Sequence, residues 1–458
     1  MDVLLIQFGA PGTDEPLCRF DNSLGIAAAI MRKEQFTPHL LTLCGHQDQR
    51  LRKAITSYRP RHVVVDIEPH SVIAARRTIG LLSRMYALPV VAVGRYATCL
   101  PERALSIPGT QAVIVGEYER ALCQYLLSVR DQQDLTSLPG VWVNTEDGLV
   151  HGDLPELLPD LDSLPFAERE LFKYDKIVRA TGELHFKACR GCPHWCAYCV
   201  NDWYMDIHAE RGPFVRRRSV GHLLEEISVV AKKYTQAQRV VFYDHAFIDD
   251  SAWLTAFAAE YGKVCALPFH CHVRLNDLDA ERASLLALAG CQGVTAAFMS
   301  GSNFIRDEVF NLNTDDAHID LGFQLLRKAG LAITAEVLIG SPYESEITVE
   351  ETIRRLRELG PDDIAVRVFH PTPGTRSAEM CHENSWVSGR SEEHYWQQSS
   401  TLDMPSLPAE RINQLASGLP NAVAQPRSSG FMQVLARIRL ARRRSLSGII
   451  DKKKRPTA

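Results

Sequence analysis

The chain has 458 residues with a formal net charge of −4, 45% of them hydrophobic and 23% charged. That length exceeds one ordinary core and points to several domains, while the acidic balance argues against a general nucleic-acid binder, whose footprint is strongly basic. No apolar run is long enough to span a bilayer, and the residues after Met1 lack the basic start of a secretory leader, so the expected location is cytoplasmic.

Over residues 1–135, short apolar, β-branched runs at 3–7, 39–43, 62–67, 90–94 and 112–116 alternate with helical stretches near 23–33, 47–57, 71–86, 101–106 and 117–129. Such alternation implies parallel strands joined by crossover helices, hence a doubly wound, Rossmann-like α/β domain with ligands at the carboxyl ends of its strands. Residues 136–183 read as a connector, marked by Pro155, Pro159 and Pro165, with strand-like pieces at 140–144 and 148–151. A second series fills residues 184–376, with strands expected at 184–188, 240–243, 268–274, 293–298, 332–339 and 364–369. Six βα units without the halving of a dinucleotide fold predict a partial (β/α)6 barrel. Ser219 and Thr314 stand where N-caps belong, and Gly290 and Gly330 where helices stop. Residues 377–458 form a short, mainly helical C-terminal region, with a helix expected near 409–417.

Four of the twelve cysteines fall between Cys189 and Cys199, in the run Cys189-Arg-Gly-Cys192-Pro-His-Trp-Cys196-Ala-Tyr-Cys199. In a reducing compartment a tight cysteine cluster signals metal binding or catalysis, not disulfides. Cys192, Cys196 and Cys199, spaced C-x3-C-x2-C on one loop, can hold three irons of a cubane and leave the fourth without a protein ligand. The alternative is a zinc site that adds Cys189 or His194, although four cysteines within eleven residues crowd a tetrahedral ion. Cys189 is assigned to the preceding strand end. The scattered cysteines read as small buried hydrophobes.

The run C-x3-C-x-aromatic-C, with Tyr198 as the aromatic, resembles the signature of the radical S-adenosylmethionine (SAM) superfamily. The likeness extends along the second series. The segment 240–247, which contains Asp244, resembles the second-strand region near the methionyl part of SAM, and the segment ending at Arg274 resembles the third strand. Gly340-Ser-Pro-Tyr-Glu344 resembles the turn that passes the adenine, and His370-Pro-Thr-Pro-Gly374 the closing motif. Where members often carry Glu-Ser-Gly-Ser after the fourth strand, this chain has Met299-Ser300-Gly301-Ser302. A thioether cannot accept a charged donor as the usual glutamate does. The resemblance implies a 4Fe–4S cluster on Cys192, Cys196 and Cys199. It also implies SAM held near Asp244, Arg274, Ser300, Gly301, Gly340 and Glu344, and a one-electron reductant of flavodoxin or ferredoxin type.

The first domain resembles the cobalamin-binding module found upstream of many radical SAM barrels. The phrases that carry this are the segment 90–102 around Gly94 and the segment 112–119 with Gly116 and Glu117, which the resemblance assigns to cobalamin. The Asp-x-His-x-x-Gly motif that supplies an axial histidine in some cobalamin proteins is absent: residues 8–13 contain no histidine. The leading implication is a cobalamin-dependent methyltransferase acting on an unactivated carbon or phosphorus of a small metabolite or natural product. Two alternatives stand beside it. One is a rearrangement, oxidation or cyclisation enzyme with a vestigial first domain. The other is a non-catalytic iron–sulfur sensor.

No catalytic side chain can be assigned from the sequence. Trp203, Tyr204 and His208 are candidates for substrate contact, whereas Trp386, His394, Tyr395 and Trp396 read as packing. Near the end, Phe431, Val434, Leu435 and Ile438 accompany Arg437, Arg439 and Arg442, followed by Lys452, Lys453 and Lys454. A basic amphipathic tail fits weak contact with an anionic membrane surface or an acidic partner. A solvated, frayed helix is the simpler reading.

Overall fold

The computed structural model describes residues 1–9, 20–45, 47–389 and 399–424. Strands β1 (Asp2–Phe8), β2 (Thr37–Leu43), β3 (His62–Asp66), β4 (Val90–Val93) and β5 (Thr110–Ile114) pair in parallel. Every residue of β3 is buried, as expected for a parallel strand covered on both faces. Alternate residues serve the two faces. Val3, Leu5 and Val64 join a core with Leu24, Ala27 and Leu122 from helices Asn22–Lys33 and Tyr118–Arg130. Leu4, Ile6 and Val63 join another with Leu51, Val72 and Ala75 from helices Asp48–Tyr58 and Val72–Tyr86.

The two strand-like pieces of the connector, β6 (Val141–Thr145) and β7 (Gly148–His151), extend this sheet antiparallel from β5. The full order is β2-β1-β3-β4-β5-β6-β7, so the first sheet runs past residue 135.

The second series begins at β8 (Glu183–Phe186), followed by a two-stranded ribbon of β9 (Cys189–Arg190) and β10 (Arg216–Arg217). Strands β11 (Arg239–Phe242), β12 (Phe269–Val273), β13 (Cys291–Met299), β14 (Ala332–Ile339) and β15 (Asp363–Val368) complete a six-stranded parallel sheet of order β15-β14-β13-β12-β11-β8. Chain neighbours are sheet neighbours throughout, which is the topology of an open barrel. The outward register of β12 to β14 is apolar and buried: Phe269, Cys271, Val294, Phe298, Ile333 and Val337 pack under the outer helices. The inward register carries polar groups, among them His270, His272, Thr295 and Glu336.

Ser219 caps helix Val220–Lys233 by accepting a hydrogen bond from the His222 amide at 3.1 Å. Thr314 does not act as the cap expected of it. Asp315 caps helix Asp316–Lys328, its carboxylate accepting the His318 amide at 2.8 Å. The carboxylate is well placed to take that role, and the Thr314 hydroxyl donates to Asn276 Oδ1 instead, at 2.7 Å. Gly290 and Gly330 do end helices in the left-handed conformation, at φ +90° and +75°.

Helix Ala409–Ala424 runs further than expected and packs on the end of β14: a Cβ on Gly340 would lie 2.7 Å from Ile412 Cγ2. His394, Tyr395, Trp396 and the basic tail from Phe431 onward lie outside the described residues, as do residues 10–13 of the first loop. Among the described residues no helix is long and apolar enough to cross a membrane.

Candidate functional site

The inward polar register of the barrel, the cysteine loop and the carboxyl edge of the first sheet enclose one cavity of about 850 Å³. Cys192, Cys196 and Cys199 all line it, and Phe20, Asp21, Asn22, Ser23 and Arg95 close it from the first domain. The loop leaves β9 through Gly191, at φ +81°, where a Cβ would strike the Phe214 carbonyl at 2.3 Å, so only glycine fits there. It ends at Cys199, which stands before helix Val200–Ile207. Burial pushes the Cys192 thiol up to about 12 and the Cys199 thiol up to about 11. Burial also raises Cys196, opposed by the Arg274 guanidinium, whose Nη1 donates to its Sγ at 2.7 Å. Such thiols give up their protons only as metal binds.

Three soft thiols on one loop are a donor set suited to an iron–sulfur cluster. Among the described residues no three His, Cys, Asp or Glu groups converge on a single-ion position. Cys189 is not part of the cavity wall; its amide is bound at 2.7 Å by the Asp244 carboxylate.

The residues assigned to SAM fall into two groups. Arg274 lines the cavity, as does Met299. Met299 ends β13 at φ +60°, beside a register shift in the pairing with β14. A left-handed, non-glycine residue costs on the order of 1 kcal/mol, and here it turns an unbranched apolar side chain into the site. By contrast, Asp244, Ser300, Gly301, Gly340 and Glu344 lie behind the wall. Asp244 accepts the Ala188 and Cys189 amides. Ser300 is fully buried, and a Cβ on Gly301 would meet Thr352 Cα at 2.4 Å. These two seat the end of β13 on helix Glu346–Leu359.

Glu344 is fully buried and its Oε2 accepts the Gly340 and Ser341 amides at 2.5 and 3.3 Å. Burial outweighs both bonds and raises its carboxyl to about 8. The folded state therefore holds a proton that the unfolded chain releases near pH 4.5. Stability contributed by this group is intact below that pH and declines as pH rises towards about 8. Glu344→Gln, which mimics the neutral acid, is expected to flatten the fall in melting temperature between pH 5 and 8; an unchanged slope would show that Glu344 titrates normally.

Several cavity side chains were not singled out from the sequence: His185, Tyr243, His245, His272, Glu336 and Arg367. The His245 and His272 rings lie 5.8 Å apart, and Tyr243 is 6.0 Å from His272. Burial lowers both imidazoles, and for His272 the neighbouring His245 adds to the effect. Both are therefore neutral near pH 7 and free to donate or accept. Glu336, next to the Met299 strand end, accepts Arg367 Nε at 2.7 Å. The signal was present in the polar alternation of 183–185, 270–272 and 334–336, since a parallel strand buried on both faces is normally apolar throughout.

On the first domain, Gly94 takes φ +97°, and a Cβ there would sit 2.2 Å from Asp66 Oδ1. The loops after β3 and β4 thus close on each other, and the Arg95 amide bonds Glu68. Gly116 faces His208 and Leu154 at contact distance. Glu117 pairs with Arg190 at 2.9 Å and Arg216 at 2.5 Å, which ties the first domain to the β9–β10 ribbon. Those guanidiniums hold its carboxyl below the usual range despite burial. Residues 20–23 and Arg95 line the cavity from the first domain, whereas the Gly94 turn is filled by the chain itself. Trp203 packs on Gly374, and His208 lies under Gly116, so neither is part of the cavity wall; nor is Tyr204.

No protein-family model matches the chain. An uncharacterised methyltransferase of Pyrococcus horikoshii is 25% identical over 341 residues, 71% of this chain and 70% of the relative. The anaerobic magnesium-protoporphyrin IX monomethyl ester cyclase of Rubrivivax gelatinosus is 21% identical over 71% of this chain and 59% of its own. Among solved structures, the radical SAM methyltransferase TsrM of Kitasatospora setae, with cobalamin and a [4Fe–4S] cluster bound, superposes with a TM-score of 0.65 at 18% identity. That match covers 84% of this chain and 79% of TsrM. The cobalamin-dependent SAM radical enzyme OxsB, with aqua-cobalamin and SAM bound, gives 0.64 at 16% identity, over 90% of this chain and 57% of OxsB. The chain therefore shares its fold, a Rossmann-like domain followed by a partial barrel, with the cobalamin-dependent radical SAM enzymes.

Proposed function

We propose that the chain is a radical SAM enzyme with a 4Fe–4S cluster on Cys192, Cys196 and Cys199, and that it methylates an unactivated carbon or phosphorus of a small molecule with the help of cobalamin. The observation that carries this reading is the single cavity in which the three thiols, the inward polar face of the barrel and the edge of the first domain meet. When bound, the cluster and SAM would supply the hard chemistry, one-electron reductive cleavage of the sulfonium to methionine and a 5′-deoxyadenosyl radical. Cobalamin, when bound, supplies a transferable methyl group.

The protein's own residues bind, orient and exclude. Arg274 balances charge at the Cys196 sulfur. Met299, Leu338 and Phe369 give an apolar wall that keeps water from a reactive carbon. Glu336, paired with Arg367, offers a carboxylate on the cavity wall. The neutral pair His245 and His272 can orient a polar substrate without bringing charge into the cavity. TsrM has been solved with a tryptophan substrate and a SAM analogue, which supports a small-molecule substrate for this cavity. The expected source of electrons is a flavodoxin- or ferredoxin-type protein.

A second reading is favoured by the filled turn at Gly94: a radical SAM rearrangement, oxidation or cyclisation in which the first domain takes no cofactor. One experiment separates the two. Anaerobically reconstituted protein is incubated with SAM and a strong reductant, with and without hydroxocobalamin, and its nucleosides are resolved by mass spectrometry. The methyltransferase reading expects deoxyadenosine, together with S-adenosylhomocysteine that depends on cobalamin. Deoxyadenosine with no cobalamin effect and no retained cobalamin would move the assignment to the second reading, and neither iron nor deoxyadenosine would overturn both.

A further inference from the structure

We infer that the outer face of the cluster loop, centred on Trp195, is the docking surface for a protein one-electron carrier that has an acidic rim around its own redox group. This inference rests on the cluster reading above and goes beyond it by naming where the electron enters.

Trp195 lies between two of the three cluster cysteines in the chain. Cys192 and Cys196 are each only 6% exposed, yet Trp195 is 50% exposed. Its carbonyl accepts Asn311 Nδ2 at 2.8 Å and Arg376 Nη2 at 2.9 Å, so the backbone is pinned while the indole stays outside. Around it opens a second depression of about 350 Å³, whose wall includes His194, Arg274, Asn276, Asn313 and Arg376 and no aspartate or glutamate. The acid that pairs with Arg376 lies beneath the surface. Asp202, its side chain 7% exposed, holds Arg376 at 2.8 Å, and Asp277 holds His194 at 2.7 Å. The permanent charges in the wall of the depression are the guanidiniums of Arg274 and Arg376.

Arg274 lines both spaces, the cavity and the outer depression, and donates to Cys196 Sγ at 2.7 Å. One side chain thus separates a cluster sulfur from the outer surface. On the cavity side the cluster must face SAM and substrate, which leaves this side for electron entry. Tryptophan and arginine are residue types enriched in interaction hot spots, and transient redox partners use small interfaces. Charge complementarity there sets the association rate more than the affinity. The step itself is a single transfer: the carrier loses one electron, the oxidised cluster gains it, and no bond or proton changes place.

The test follows bleaching of the iron–sulfur absorbance in reconstituted protein after mixing with a reduced, acidic, low-potential flavodoxin, and separately with dithionite. Trp195→Ala is expected to slow bleaching by flavodoxin about tenfold, the size of a lost hot spot, and to leave the dithionite rate unchanged. Asn313→Asp keeps a residue that tolerates the left-handed φ of +52° at this position and adds negative charge to the rim. It is expected to slow the flavodoxin reaction severalfold at low salt, with the difference lost at high salt. Should Trp195→Ala cost the cluster itself, Asn313→Asp decides alone. Flavodoxin rates equal to wild type in the variants that keep their cluster would overturn the docking face. A wild-type protein with no iron–sulfur absorbance would instead sink the cluster reading.

Discussion

Cys196→Ala is expected to abolish SAM cleavage and cluster iron together, while the fold survives. Cys196 is the ligand candidate with the most defined surroundings: its Sγ accepts Arg274 Nη1 at 2.7 Å, and the Ala197 amide that follows is bound to the Phe310 carbonyl at 2.9 Å. Removing the sulfur takes a ligand from one iron and an acceptor from a guanidinium in the same step. With only two thiolates left, the cubane is expected to lose its iron during gel filtration. Deoxyadenosine formation should then fall by at least about a thousandfold, which corresponds to roughly 4 kcal/mol on the barrier. The side chain is small and sits at a loop, so truncation should cost only about 1 kcal/mol of stability. Iron and sulfide assays, nucleoside chromatography and a thermal melt check all three. Cys189→Ala is the control, because Cys189 lies in β9 and outside the cavity wall; it should keep its iron. Full activity in Cys196→Ala, or equal iron loss in Cys189→Ala, would remove the assignment of the three ligands.

How far the sequence could be read depended on whether a signal was local. The strands at 332–339 and 148–151 appear with the bounds expected of them, because β-branched runs bounded by turn residues need no tertiary information. The cysteine loop was legible for the same reason: three ligands within eight residues of chain. What escaped depends on distant partners. Nothing near Glu117 says that Arg190 and Arg216 will claim its carboxylate, and nothing near Gly94 says that Asp66 will fill the space a Cβ would take. Gly340 has its reason in Ile412, seventy-two positions along the chain. Thr314 was expected as the cap, but its hydroxyl goes to Asn276 and Asp315 caps the helix instead. The inward polar face of the barrel was visible in principle as alternation, but it was masked by the apolar residues between.

Asp244→Ala is expected to destabilise the protein by about 2–5 kcal/mol, since two buried amides lose their only acceptor. Both carboxylate oxygens lie 3.0 Å from the Ala188 amide, and Oδ1 lies 2.7 Å from the Cys189 amide. Asp244 is 4% exposed, so water cannot replace it. Its position gives the loss a second consequence. Ala188 and Cys189 are where the chain leaves β8 and enters β9, and the ribbon pairing of Cys189 with Arg217 sets the direction in which the cysteine loop departs. With the brace gone, that departure point is held by the short ribbon alone, and the cluster should be lost faster as well as the fold weakened. Asp244→Asn keeps one acceptor oxygen and should show roughly half the loss. Thermal unfolding of cluster-free protein measures the first effect, and iron release to a ferrous chelator from reconstituted protein measures the second. A carboxylate that acted only by touching SAM would leave both unchanged and weaken SAM binding alone; a brace moves both whether or not SAM is present.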